Sequence, residues 1–253
     1  MTSAAPELSI VIPAYNEEAR LPRTLRSILD YLSREALSPE RVEIIVVDDG
    51  SKDGTARVAQ DFAREFCSLR VVENGENRGK GFSVRHGMLE ARGRLTLFTD
   101  ADLSSPIEEW PKLRAAIESG YDGAIGSRAL DRSLISVSQT QTRVFAGMIF
   151  NTFVRILTGL PFHDTQCGFK AFVRESARPV FENQRIYRFG FDPEILFLAH
   201  RYGLRVAEVP VRWAHDPATK VSVVRDSIRM FADLFRIRRD WFLRRYARRP
   251  AGV

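Results

Sequence analysis

Two aspartates with one residue between them follow a short apolar run, and this spacing is the first indication of chemistry in the sequence. The segment RLTLFTDADLSSP, residues 94–106, passes from apolar positions into Asp100 and Asp102. A carboxylate at the end of a buried strand is costly unless it is paired, solvated or bound to a metal. Because Asp-x-Asp pairs also occur in ordinary turns and helix caps, the pair alone does not establish a metal site.

Polar residues follow other short apolar runs in the same way. They stand in PAYNE (residues 13–17), in DDGS (48–51) and in GSR (126–128). Taken singly, each of these could be a turn or a helix cap. In an open parallel sheet, however, ligands bind beyond the carboxyl ends of the strands. The repetition at consecutive strand ends therefore favours one acidic crevice, in which a divalent cation with oxygen ligands would offset the repulsion between carboxylates.

The elements that would position these residues alternate between apolar runs and helical patterns. Strands are predicted over residues 8–13, 42–50, 69–73, 94–100 and 122–127, and helices over 17–35, 55–66, 80–92 and 106–119. This alternation predicts an α/β fold with a doubly wound, mostly parallel sheet flanked by helices. The second half is less regular, with a helix-rich stretch at 138–158 and a mixed stretch at 164–213. We expect one α/β domain over residues 1–224, followed by a basic amphipathic helix over 225–253.

Composition argues against several classes of protein. Only two cysteines, Cys67 and Cys167, are present and they are far apart, so we expect no disulfide framework and a reducing compartment. The four histidines lack the spacing of zinc ligands. The first residues do not resemble a secretory signal peptide, and no run approaches the roughly 18 apolar residues of a membrane span. No G-x-G-x-x-G sequence follows the first strand, which disfavours a dinucleotide-dependent oxidoreductase.

Positive charge is concentrated towards the end of the sequence. The net charge is +6, and residues 225–249 hold nine arginines and three aspartates, which account for the whole excess. Aromatic residues lie among these arginines, a pattern typical of helices on anionic membrane surfaces. A solvated helix that packs one stripe on the domain is the alternative, and the acidic crevice argues against nucleic acid. The apolar stretch 142–162 is too interrupted to span a bilayer and fits either an interfacial helix or a buried helix pair.

The order of the motifs resembles one enzyme family. Similarity to the glycosyltransferase family 2 enzymes of GT-A fold lies in SIVIPAYNEE, EIIVVDDGSKDGT, ENRGKG, FTDADLS, GSR and DTQCGFKAF. The resemblance covers residues 8–240 and extends to the polyprenyl-phosphate sugar transferases. Within these, NRGKG, DTQCGFK and FGFDPEILFLA are most similar to the dolichyl-phosphate β-glucosyltransferases, and the dolichyl-phosphate mannose synthases come next. Such a match is far more specific than one short motif.

This resemblance implies a donor pocket at the strand ends. Its nucleotide-sugar contacts would come from Pro13, Tyr15, Glu17, Asp49, Lys80, Asp100 and Ala101. Asp49 would accept a hydrogen bond from the imide N–H of uracil or guanine, because an ionised carboxylate only accepts. Lys80 would support the diphosphate. Asp102, with Asp100, would hold Mg²⁺ or Mn²⁺.

The same resemblance implies an acceptor site beside the donor pocket. Arg128, Arg143 and Lys220 would hold the acceptor phosphate, and Asp102 and Arg128 would be the catalytic residues. The mannose synthases usually have a glutamine near the metal where this sequence has Ser104, which puts a ligand role for that position in doubt.

The implied reaction is the inverting transfer of a hexose from a nucleotide sugar to a polyprenyl or dolichyl phosphate. Glucose and UDP-glucose are favoured, and a mannosyltransferase that uses GDP-mannose is the alternative. An ionised lipid phosphate needs no strong general base, whereas it does need cationic side chains such as arginine. Transfer to a sugar hydroxyl is a further alternative, with Asp192 as the base. That residue could instead be an N-cap beside Pro193.

Two further expectations complete the interpretation. A non-catalytic nucleotide-sugar-binding module would predict a broken metal motif, but both Asp100 and Asp102 are present. A lipid acceptor predicts peripheral attachment to the cytoplasmic face of a membrane, through anionic lipids and without a transmembrane segment. We expect the prenyl tail to lie along residues 145–162.

Overall fold

A computed structural model describes residues 5–38, 40–137, 141–214 and 223–247, without the side chains of residues 141–146 and 223–227. The strands in these ranges are β1 (Leu8–Ala14), β2 (Val42–Asp48), β3 (Leu69–Glu73), β4 (Leu95–Thr99), β5 (Gly123–Ser127), β6 (Ile135–Val137), β7 (Phe169–Val173), β8 (Val206–Pro210) and β9 (Trp213–Ala214). The α-helices are α1 (Leu21–Arg34), α2 (Thr55–Glu65), α3 (Lys80–Glu90), α4 (Trp110–Glu118), α5 (Gln141–Thr158), α6 (Arg174–Asn183), α7 (Phe191–Arg201) and α8 (Val223–Phe242).

Seven strands form one sheet in the order β3-β2-β1-β4-β7-β5-β8. Neighbouring strands are parallel except for β7, which runs antiparallel to both β4 and β5. Strands β6 and β9 pair separately. The predicted doubly wound, mostly parallel α/β sheet is therefore confirmed.

Both faces of the central strands are covered. Every residue of β1 and β2 is buried, which is typical of parallel strands between two helical layers. Because side chains alternate along a strand, Ile10 and Ile12 join one hydrophobic cluster and Val11 joins the other. Strand β1 consequently packs against a hydrophobic cluster on each of its two faces.

Predicted and observed elements agree closely in the first half. Pro22 lies in the first turn of α1, where an N–H would have no intrahelical partner and a proline is therefore tolerated. The predicted helix over 106–119 divides into a short 3₁₀ turn at Ile107–Glu109 and helix α4. The mixed stretch of the second half contains β7, the strand that enters the sheet antiparallel.

Helix α8 packs one face on the domain. Leu234 and Ile237 are buried in the core, whereas Phe235 and Phe242 are exposed on other faces of the helix. Helix α5 lies against α8, and the ring of Phe231 meets Phe150 edge to face at 5.2 Å between centroids. Within the described residues, no helix combines the length and the apolar character that a membrane crossing requires.

Candidate active site

The carboxyl ends of β1, β2, β4 and β5 meet along one edge of the sheet. Asp48 ends β2 beside Ala14 of β1, and Asp100 directly follows β4. Because β7 runs the other way, its amino end and the preceding Gly168 lie at the same edge. A Cβ atom on Gly168 would stand 2.2 Å from Oδ2 of Asp100, so any other residue at this position would displace the Asp100 carboxylate. The antiparallel strand therefore forms the floor of the crevice beneath the carboxylates.

Lys80 and Asp100 form an ion pair in this crevice. Nζ of Lys80 lies 2.6 Å from Oδ1 of Asp100. Burial alone would lower the pKa of Lys80, but the charges of Asp100 and Asp192 outweigh it and raise that pKa. Lys80 therefore stays protonated, and it places a fixed positive charge beside the predicted diphosphate position.

Asp102 occupies the mouth of the crevice. Its Oδ1 accepts a hydrogen bond of 2.9 Å from the backbone N–H of Ser104. Burial and the neighbouring charge of Asp100 raise the pKa of Asp102. A bound cation would offset both the burial of the Asp102 charge and its repulsion by Asp100. Ser104 thus orients the carboxylate through its backbone amide, in the place where the mannose synthases usually have a glutamine.

The donor set fits a magnesium or manganese ion that is completed by substrate. Among the described residues, no three His, Cys, Asp or Glu groups are placed to hold a metal by themselves. Mg²⁺ usually binds one or two protein carboxylates and fills its shell with water and phosphate oxygens. Asp100 and Asp102 supply two such carboxylates.

Asp49 is buried, and its carboxylate accepts hydrogen bonds from other residues of the chain. It accepts hydrogen bonds from Nδ2 of Asn74 at 2.7 Å, from N of Arg78 at 3.0 Å and from N of Gly79 at 2.8 Å. These contacts hold the loop that leads into α3 and Lys80. The predicted contact between Asp49 and a nucleobase stays a prediction.

Asp48 is a buried carboxylate for which the sequence analysis predicted no role. Its Oδ2 accepts from N of Ser51 at 3.2 Å, whereas its buried Oδ1 has no hydrogen-bond partner in the described part of the chain. A buried acceptor without a donor is unfavourable, so this atom fits a donor that arrives with a ligand. Both aspartates belong to the same DDGS motif, and nothing in the motif itself distinguishes their roles.

The remaining predicted donor-pocket residues lie at the β1 and β4 exits. Pro13 pairs with Val47 inside the sheet, and the carboxylate of Glu17 contacts Arg20 twice, at 2.6 and 2.7 Å. Tyr15, which directly follows β1, is half-buried. The carbonyl oxygen of Ala101 accepts from Oγ1 of Thr24 at 2.5 Å, which fixes the turn between the two metal-site aspartates.

Arg128 projects from the end of β5 and is clamped by Asp164. Two hydrogen bonds, of 2.6 and 2.8 Å, join the guanidinium to the carboxylate, and the guanidinium also lies 5.3 Å from the ring centroid of Trp213. Burial alone would raise the pKa of Asp164, but Arg128 lowers it to about 2. The predicted acceptor-phosphate arginine is thus held in one orientation. The side chain of Arg143, and all of Lys220, lie outside the described residues.

Asp192 pairs with a lysine buried beneath the crevice. Nζ of Lys170, which is fully buried, lies 2.5 Å from Oδ1 of Asp192 and 2.6 Å from the carbonyl oxygen of Cys167. The predicted N-cap role of Asp192 is wrong, because Gly190 is the N-cap and Asp192 lies inside the first turn of α7. Lys170 on β7 draws the carboxylate towards the sheet instead.

The DTQCGFK motif contributes to the family resemblance, but no individual role was predicted for its residues. Asp164 clamps Arg128, Gly168 makes room for Asp100, and Lys170 holds Asp192. The signal that could have found them is a lysine within the apolar run FKAFV, since a charge inside a buried strand requires a partner.

Comparison with known proteins supports this description. Residues 9–181 match the family described as Glycosyl transferase family 2. The dolichyl-phosphate beta-glucosyltransferase of Drosophila melanogaster is 41% identical over 243 residues, which cover 91% of this chain and 74% of that protein. The human protein of the same name is 36% identical over 248 residues, which cover 93% of this chain and 76% of the human one.

Solved structures share the fold. Glucosyl-3-phosphoglycerate synthase from Mycobacterium tuberculosis, crystallised with Mn²⁺, UDP and glucosyl-3-phosphoglycerate, matches with a TM-score of 0.64 at 21% identity, covering 98% of this chain and 82% of that one. Mannosyl-3-phosphoglycerate synthase from Rubrobacter xylanophilus matches with a TM-score of 0.67 at 22% identity, covering 98% and 78%. At these identities the likeness shows the GT-A fold. Together with the family match over most of the chain, these findings show that the chain belongs to glycosyl transferase family 2.

Proposed function

We propose that this chain transfers a glucosyl group from UDP-glucose to dolichyl phosphate or a related polyprenyl phosphate, with inversion at the anomeric carbon. Support comes from relatives at 35–41% identity whose names state dolichyl-phosphate glucosyl transfer. The observation that carries the proposal is the placement of a two-carboxylate site next to a clamped arginine. Asp100 follows β4 and Arg128 follows β5, and only β7 lies between these two strands, so the two sites lie at the same edge of the sheet.

On the donor side, the chain binds and neutralises a diphosphate. Asp100 and Asp102 would hold Mg²⁺ or Mn²⁺, which when bound acts as a Lewis acid on the departing diphosphate. Lys80 adds a second, fixed positive charge beside Asp100. The buried Oδ1 of Asp48 accepts from the imide N–H of the base, in a pocket lined also by Pro13 and Tyr15. These groups are in place before the reaction, so little reorganisation is needed as charge develops.

On the acceptor side, Arg128 presents its guanidinium to the lipid phosphate. The clamp from Asp164 fixes the direction of the guanidinium. A phosphate oxygen attacks the anomeric carbon while the bond from that carbon to the diphosphate oxygen breaks, and the electron pair leaves with UDP. The attacking oxygen is already ionised near neutral pH, so no side chain has to remove a proton. The positive charges of Arg128 and Lys80 bring two anionic substrates within reach of each other. Arg143 and Lys220 complete this acceptor site in our proposal.

A panel of donors and acceptors tests this assignment. Purified protein is incubated with Mn²⁺ and either UDP-glucose or GDP-mannose, and each donor is offered dolichyl phosphate or a soluble sugar. We expect a glycolipid only from UDP-glucose and dolichyl phosphate. Mannolipid from GDP-mannose would establish the mannosyltransferase alternative, whereas a glycosylated sugar would establish hydroxyl transfer with Asp192 as the base.

Attachment to a membrane surface is a separate part of the proposal. Three apolar side chains of α8, Ile228, Phe235 and Phe242, are 65%, 61% and 85% exposed at intervals of seven residues. Helix α5 adds exposed Phe153 and Ile156 beside them. Apolar residues among arginines suit the interface of an anionic bilayer. We therefore assign the α8 segment, residues 225–253, to peripheral contact with the cytoplasmic leaflet, and the prenyl tail to the surface along α5.

A further inference from the structure

A cavity of about 400 Å³ lies between α8 and the segment 185–190 that precedes α7. None of the donor, metal or acceptor residues assigned above lines it. Five arginines and a single aspartate supply its charged lining: Arg78, Arg185, Arg188, Arg229, Arg236 and Asp233. We refer to it as the arginine pocket.

The positive charges of the arginine pocket outnumber the carboxylates near them, although Arg78 has a partner of its own in Glu76, at 3.6 Å from Nε to Oε1. Asp240, which is 1% exposed, lies 3.8 Å from Nε of both Arg185 and Arg236. It also pairs with Arg239 of α8 at 3.0 Å and with Arg245, which follows the helix, at 3.1 Å. Four guanidinium groups therefore share one carboxylate. Arg188 and Arg229 make no ion pair within the part of the chain that the structure describes. Like charges held this close repel one another, and an anion in the cavity would relieve the repulsion.

The walls of the arginine pocket are fixed by contacts of their own. A Cβ atom on Gly190 would stand 2.4 Å from Oδ2 of Asp233, so the close approach of the 190 turn to α8 depends on a glycine. On the other side, the buried amide of Gln184 donates to the carbonyl oxygens of Gly81 and Ile186 at 2.8 and 3.0 Å. The arginines thus extend from a preformed backbone frame, which lowers the entropic cost of binding a ligand.

The chemistry of the lining selects phosphate. Arginine binds phosphate oxygens with a planar fork of donors, and several arginines around one cavity suit a doubly charged group. Exposed Ile228 and Phe235 of α8 directly precede Arg229 and Arg236. Neighbouring residues of an α-helix point about 100° apart, so the helix that lines the cavity presents these apolar side chains on an adjacent face.

We propose that the arginine pocket binds a phosphate group, presented by an anionic lipid headgroup, at a site separate from the catalytic crevice. Free phosphate offers the same chemistry and is the other source. The inference rests on the membrane contact proposed for α8 but not on the proposed transfer reaction, because binding is measured without a sugar donor.

Vesicle binding with matched variants tests the proposal. Vesicles of phosphatidylcholine with phosphatidic acid are sedimented with wild type, with Arg188→Gln/Arg229→Gln, and with the control Arg57→Gln/Arg64→Gln. The control loses the same charge from α2, where both side chains are about three-quarters exposed. We expect the pocket variant to bind at least about tenfold more weakly and the control to bind like wild type. Ala232→Glu, which adds a carboxylate to the lining, should lose binding as well.

The outcomes distinguish a lipid headgroup from free phosphate as the ligand. They also show whether the arginine pocket is the binding site. If inorganic phosphate alone binds by calorimetry and displaces the vesicles, the source is free phosphate. If it does not displace them, the lipid headgroup is the ligand. Equal losses in the pocket variant and in its control would reduce the effect to net charge and overturn the proposal. Wild-type binding by both the double variant and Ala232→Glu would overturn it too, and thermal melting confirms that each variant is folded.

Discussion

At the scale of single residues, the crevice is organised by pairs of opposite charge. Lys80 lies beside Asp100, and Arg128 is clamped by Asp164. Asp102 has no ion pair among the described residues, although burial and the nearby charge of Asp100 disfavour its ionised form. A divalent cation would reverse that balance, which is why we regard Asp102 as the principal metal ligand.

Replacement of Asp102 tests the metal assignment. Asp102→Asn keeps the shape of the side chain and removes its charge, so we expect a loss of turnover of roughly 10²–10³-fold with an unchanged melting temperature. Glu108→Gln, which changes a partly exposed carboxylate on the following turn, is the matched control and should retain activity. Addition of EDTA to wild type should reproduce the effect of Asp102→Asn, and full activity in EDTA would disprove metal dependence.

We expect the two aspartates of the DDGS motif to have different roles, Asp48 in ligand binding and Asp49 in stability. Asp48→Asn should raise the dissociation constant for UDP about tenfold or more, because a charge-assisted hydrogen bond is worth about 1.5–3 kcal/mol. Asp49→Asn should instead lower the free energy of unfolding by about the same amount, since Asp49 accepts three hydrogen bonds from the loop before α3. Titration calorimetry and chemical denaturation measure the two quantities. A raised dissociation constant for UDP in Asp49→Asn, with a lower free energy of unfolding in Asp48→Asn, would assign the base contact to Asp49.

At the scale of elements, the sequence was informative wherever hydrophobic periodicity determines structure. Strands β1 to β5 and the helices between them follow from alternating apolar runs and helical faces. The convergence of Asp48, Asp100 and Arg128 on one edge follows from parallel topology alone.

What could not be predicted is the antiparallel strand and its partners. FKAFV is short and apolar, so nothing in it shows the direction in which it enters the sheet. That direction places Gly168 under Asp100 and Lys170 under Asp192. The clamp on Arg128 likewise joins residues 36 positions apart. These contacts arise from tertiary packing, which one sequence without its fold does not reveal.

Helix α7 begins with a buried carboxylate whose titration should be measurable. Glu194 is fully buried, and burial raises its pKa to about 7 although the backbone of Arg185 and Ile186 and the hydroxyl of Tyr246 donate to it. A raised pKa favours the folded state at low pH. This contribution is fully present below about pH 4.5 and is lost as the pH rises through about 7.

Glu194→Gln removes this titration. Relative to the variant, wild type should lose about 3 kcal/mol of unfolding free energy as the pH rises across that range. Chemical denaturation at a series of pH values measures the difference. A difference between the two proteins that is constant from acid to neutral pH would show that the pKa of Glu194 is the same in the folded and unfolded states.

At the scale of the whole molecule, we propose that α8 brings the crevice to a membrane surface. We expect replacement of Ile228, Phe235 and Phe242 by glutamine to release the protein from anionic vesicles, because each buried apolar side chain contributes roughly 1.5–3 kcal/mol. The fold should persist, since the three side chains are exposed. Tyr121→Gln is the control, an exposed aromatic residue in the turn between α4 and β5. Co-sedimentation of the triple variant at the level of wild type would exclude the α8 stripe as the contact.

The most direct test of the central claim is the structure of the product. Wild-type protein is incubated with UDP-glucose, dolichyl phosphate and Mn²⁺, and the lipid fraction is analysed by mass spectrometry and by NMR of the anomeric proton. We predict that the product is dolichyl phosphate with one β-linked glucose. It should form in step with UDP release, and it should be absent when EDTA is added. An α-linked product would contradict single displacement. Release of UDP without any glucolipid would contradict the assignment of the lipid phosphate as acceptor.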